Sequence, residues 1–60
     1  MKKPSDGSRK RIVFDAWAWT KENEPRSTPY TTMTCGLALG LKHNTIRTWI
    51  STWERNWSPS

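Results

Sequence analysis

Two glycines four residues apart, Gly36 and Gly40, stand between two stretches of apolar residues at helical spacing, and this arrangement constrains the fold more than any other feature of the chain. A glycine in a turn admits the left-handed backbone that ends one helix and lets the next leave at a steep angle. A second glycine one helical turn earlier lets two helices cross closely, since no large side chain holds them apart. Cys35 and Leu39 flank that contact on the first helix, Leu41 plugs the corner after the turn, and Ile46 and Trp49 point back from the second helix into the same core. The positions between them, Lys42, His43, Asn44, Arg47, Thr48 and Ser51, are polar.

This segment, Thr32 to Ser51, about a third of the chain, resembles the helix-turn-helix family of DNA-binding proteins. The resemblance implies that the second helix of the pair enters the major groove and presents its outer residues to base edges. One departure concerns the residue after Leu41, often a Ser or Thr that caps the second helix in the family and here Lys42. Asn44 is the alternative cap, because its amide oxygen accepts a backbone N–H.

Helical periodicity extends the pattern in both directions. Ile46, Trp49, Ile50, Trp53 and Trp57 recur at intervals of three and four and predict a helix over about 44–57 with one narrow apolar stripe. Arg47, Ser51 and Arg55 form the opposing row. The middle helix is expected over about 31–39, with Thr31 or Thr32 as N-cap. Thr28-Pro29 offers an alternative start, with Pro in the first turn. A first helix is expected over about 9–23, opened by Ser8 or the residues just after it. Its core arc holds Ile12, Val13, Ala16, Trp17, Trp19 and Thr20, with Phe14 either at the edge of the core or exposed toward a partner. The fold class is therefore all-α: a three-helix bundle over 11–57, a disordered basic arm over 1–10, and the start of a tail or linker at 58–60.

Sixty residues bury a modest fraction of their surface, and five tryptophans, each able to bury roughly 150–250 Å², offset that deficit. The single Cys35 excludes an intramolecular disulfide and is read as a small core residue; with one histidine, no structural zinc site can be assembled. No apolar run reaches the roughly 20 residues of a membrane span, so the expectation is a soluble protein of the cytoplasm, or of the host cytoplasm if viral, without a membrane partner. No catalytic constellation, cofactor motif or small-molecule site is present.

The net charge of +5 suits a polyanion. It is unevenly placed: residues 1–11 set Lys2, Lys3, Arg9, Lys10 and Arg11 against Asp6 for +4, whereas residues 12–60 carry +1. The expected function is sequence-specific binding of double-stranded DNA. Asn44 and Arg47 are the candidates for base contacts, because an Asn amide pairs with adenine and an Arg fork with guanine O6 and N7; Thr48 and Ser51 add hydroxyl or methyl contacts. Lys42, His43 and Arg55, with Arg9, Lys10 and Arg11 of the arm, are expected on phosphates, as are the backbone N–H groups near Thr31 and Thr32. A lone domain of this size touches few base pairs, so the fold-level resemblance suggests the N-terminal domain of a larger phage or bacterial protein, a terminase small subunit or other packaging subunit, a recombinase, a transposase or a transcription regulator, with oligomerisation through a missing C-terminal region. Two alternatives remain: a protein-interaction module presenting Phe14, Trp19 and Trp57, and a single-strand binder that stacks bases on its tryptophans, Trp57 foremost.

Overall fold

The computed structural model describes residues 3–57 and contains helix α1 (Arg9–Asn23), a single 3₁₀ turn (Pro25–Ser27), helix α2 (Thr28–Ala38) and helix α3 (His43–Asn56). The three-helix, all-α class expected from periodicity is the one observed.

Helix α1 begins where its cap places it. Ser8 has extended backbone, and its Oγ accepts the Arg11 N–H at 3.1 Å while donating to the Ser5 carbonyl at 2.7 Å. The helix closes at Glu24, whose N–H reaches the Thr20 carbonyl, and Pro25 follows. Its buried face differs from the expected arc. Phe14 is buried, 5% exposed, with Val13, Trp17 and Thr20, whereas Ile12 and Trp19 are 46% and 57% exposed. The face turns toward Phe14 because Phe14 and Trp17 both meet Trp53 of α3, at ring-centroid distances of 5.1 and 5.6 Å.

The basic segment expected over 1–10 overlaps α1 at its end, as a helix over 9–23 requires. Arg9 and Lys10 lie in the first turn of α1, and Pro4–Ser8 fold back on it, with the Ser8 N–H on the Ser5 carbonyl and Arg11 Nη1 on the Pro4 carbonyl at 3.3 Å. Lys2, expected in the arm, and the tail at 58–60 lie outside the described residues.

Helix α2 starts at Thr28, three residues before Thr31, so the alternative start is the correct one. The 3₁₀ turn feeds directly into it, and Pro29 occupies the first turn, where its missing N–H costs no hydrogen bond. Thr31 and Thr32 therefore sit inside the helix rather than at its cap. At the other end Gly40 has φ +81°, the Leu41 N–H bonds the Gly36 carbonyl at 3.1 Å and the Gly40 N–H bonds the Leu37 carbonyl at 3.0 Å. This pair of bonds is the Schellman closure of a helix.

After Gly40 only Leu41 and Lys42 intervene before α3. Lys42 takes the N-cap position with extended backbone and no side-chain cap bond, and its carbonyl accepts the Ile46 N–H at 3.2 Å. Asn44 is thus inside the helix and caps nothing, because the short Schellman exit returns the chain to helix one residue earlier than expected.

The core comprises Val13, Phe14 and Trp17 of α1 with Ile46 and Trp53 of α3, surrounded by half-buried Met33, Cys35, Leu39, Leu41, Trp49, Ile50 and Trp57. Its rings meet partly edge to face, Phe14 with Trp53 at 84° and Trp17 with Trp57 at 89° and 5.5 Å, and partly tilted, Trp17 with Trp53 at 46°. The fully buried Trp17 directs its indole N–H to Glu54 Oε1 at 3.2 Å. Lys21 Nζ binds the same carboxylate at 2.6 and 2.8 Å, so the far end of α3 is tied to α1. No described helix is long and apolar enough to cross a membrane.

Candidate nucleic-acid interface

The stripe of Ile46 and Trp53 fixes the rotation of α3, and the opposite side of the helix is left free. Asn44, Arg47, Thr48, Ser51 and Arg55 are all exposed on it, with Lys42 and His43 exposed at its N-terminal end. Ile46 is fully buried, whereas Trp49, expected in the core, is half-buried and packs against its edge. Gly36 holds α2 and α3 together: a Cβ built there would lie 2.6 Å from Ile46 Cγ1 and closer still to Cδ1.

Hydrogen bonding sorts the exposed row. Thr48 spends its hydroxyl proton on the Asn44 carbonyl at 2.9 Å, and Thr52 does the same to Thr48 at 3.1 Å. Thr48 therefore offers a partner its methyl group and an acceptor oxygen, not a donor. Glu54 is the only acid in α3, and its carboxylate is engaged by Lys21 and Trp17. The outward face is consequently cationic.

The remaining candidates separate into those the fold leaves available and those it removes. Arg9 is exposed in the first turn of α1. Lys10 Nζ lies 5.5 Å from the centroid of the Trp49 ring, a cation–π contact that holds a positive charge beside α3. Arg11, expected on phosphate, instead pairs with Asp6 at 2.5 Å and Asp15 at 2.9 Å. Its hydrogen bond to Asp15 raises its already high pKa, so it remains a cation committed to the turn before α1. Thr32 is 0% exposed and Thr31 half-buried within α2, so neither lies at a helix N-terminus open to phosphate. That expectation fails because α2 begins a turn earlier.

The alternatives lose surfaces too. Of Phe14, Trp19 and Trp57, only Trp19 stands exposed, since Phe14 is buried and Trp57 half-buried against Trp17. Trp53 is likewise buried, which leaves little of the tryptophan stripe for base stacking.

Two features were not legible from residue spacing. A shallow groove of about 380 Å³ runs between α2 and α3, lined by Pro29, Met33, His43, Arg47, Ile50 and Ser51. A second depression of about 320 Å³, bordered by Lys3, Glu22, Asn56 and Trp57, lies between α1 and the end of α3. The residues on each helix followed from periodicity, but which of them meet across a gap depends on the crossing of the helices. Among the described residues no group of three or more His, Cys, Asp or Glu is placed to hold a metal ion. No protein-family model matches the chain, and no curated protein or solved structure matches it either.

Proposed function

We propose that this chain binds double-stranded DNA, laying the outward row of α3 in the major groove in the manner of helix-turn-helix proteins. One observation carries the reading: a single helix buries Ile46 and Trp53 on one side and presents Asn44, Arg47, Ser51 and Arg55 on the other, with its only acid neutralised by Lys21. Arg47 and Asn44 contact base edges in this reading. Lys42, His43, Arg55, Arg9 and Lys10 meet phosphates and set orientation.

The test is a titration of the labelled chain with duplex DNA. Shifts clustered on residues 42–55, with affinity that falls steeply as salt rises, support the proposal. Arg47→Ala is expected to cost about 1–3 kcal/mol and to relax selectivity at one base pair. A loss equal for all sequences would reduce Arg47 to a phosphate contact. A protein-interaction reading retains one observation in its favour, the exposure of Ile12 and Trp19 seven residues apart on α1. Indifference to duplex, with concentration-dependent shifts on those two residues, would favour it.

A further inference from the structure

The groove between α2 and α3 joins two chemistries that the DNA-binding reading alone does not use together. Its floor is apolar, made by Pro29 and Met33 of α2 and Ile50 of α3; its lip carries His43, Arg47 and Ser51. Met33 and Ile50 are half-buried, so part of each side chain still faces outward. No acid lines the groove, and α2 has no charged residue along its whole length, so nothing on this side repels a polyanion. Arg47 and Ser51 belong both to this lip and to the outward row of α3.

We propose that the groove receives the 5-methyl group of a thymine adjacent to the base that Arg47 contacts, making Met33 and Ile50 the residues by which this chain selects thymine. The inference rests on the DNA-binding reading. Its chemical reason is that, of the four bases, thymine alone presents a methyl group in the major groove, and an apolar floor gains from covering a methyl but not a bare C–H edge or an amino group. The cationic lip places that floor beside a phosphate-rich strand. The groove is also wider than a methyl needs, so the edge of the pyrimidine and its sugar can follow the methyl in.

The experiment removes the methyl and nothing else. Duplexes preferred by the chain are selected from a randomised pool, and each thymine is then replaced singly by deoxyuridine. One position is expected to weaken binding about fourfold, the burial of one methyl group expressed as an affinity ratio, while the others change little. In Met33→Gln, which keeps the side-chain length and is checked for folding by its amide spectrum, thymine and deoxyuridine at that position should bind alike. Selected sites without thymine, indifference to every deoxyuridine replacement, or a methyl preference that survives in Met33→Gln would each overturn the inference and leave duplex binding standing. Absence of duplex binding at low salt would remove both readings. Shifts at Met33 and Ile50 on adding a glutamate-rich peptide, but not on adding duplex, would give the groove to an acidic protein segment and overturn the proposal.

Discussion

Against α2, helix α3 packs through the absence of a side chain; against α1 it packs through the largest side chains in the chain. At the first seam Gly36 lets the backbone of α2 approach Ile46 so closely that a Cβ would overlap it. At the second the backbones of α1 and α3 stay apart, and Phe14, Trp17, Trp53 and Trp57 fill the space between them. A 60-residue chain thus divides two tasks between its two seams. The glycine seam fixes an angle, and with it the direction in which Asn44, Arg47 and Ser51 project. The aromatic seam supplies the buried apolar area that holds that angle in place. A close backbone crossing admits few geometries, whereas the rings of the second seam meet at interplanar angles from 46° to 89°.

Breaking the aromatic seam should cost the most. Trp17→Ala should cost about 3–5 kcal/mol, since it removes a fully buried ring and leaves Glu54 without its indole donor. A domain of sixty residues has roughly 3–9 kcal/mol in total, so a cooperative thermal transition by circular dichroism should be largely lost. A cost under about 1 kcal/mol would show that α1 and α3 do not depend on this seam.

The glycine seam should break differently. Gly36→Ala adds one carbon where Ile46 already stands, and overpacking of this kind costs about 1–3 kcal/mol, partly offset by the better helix propensity of alanine. Ile46→Val deletes the nearest atom, so Gly36→Ala should cost less in that background. The coupling is read from a double-mutant cycle in urea. Additive costs would mean that the close approach is not what Gly36 provides.

The smallest effect has the opposite sign. Thr28 and Thr32 bury hydroxyl oxygens with no hydrogen-bond partner among the described residues, and Thr32 is wholly enclosed. Thr32→Val should therefore stabilise the chain by about 1 kcal/mol in the same urea titration. Destabilisation would mean that the hydroxyl has a partner, a bridging water being the physical candidate.

Where the sequence could be read correctly, the signal was local. The start of α1 followed from Ser8, whose hydroxyl bonds three residues ahead, and the turn followed from Gly40, whose φ of +81° disfavours any other residue. The α3 face followed from five apolar residues on one narrow stripe. The errors arose where local rules gave two answers. Thr28-Pro29 and Thr31-Thr32 both read as a helix start, and Lys42 carries no side-chain oxygen to mark it as an N-cap. The candidate site shares this division. The exposure of Asn44, Arg47, Thr48 and Ser51 is a matter of one helix's periodicity, as is the i,i+4 pairing of Arg11 with Asp15; the burial of Thr32 is not.

The chain's own sequence determined that three helices form, where the sharp turn falls and which side of α3 is apolar, because capping, glycine torsion and helical spacing act over a few residues. It took the assembled bundle to turn Phe14 inward with Ile12 and Trp19 facing out, to share Glu54 between Lys21 and Trp17, and to line one groove with Pro29, Met33 and Ile50. Those outcomes depend on how the helices cross, and side chains from different helices set that crossing jointly.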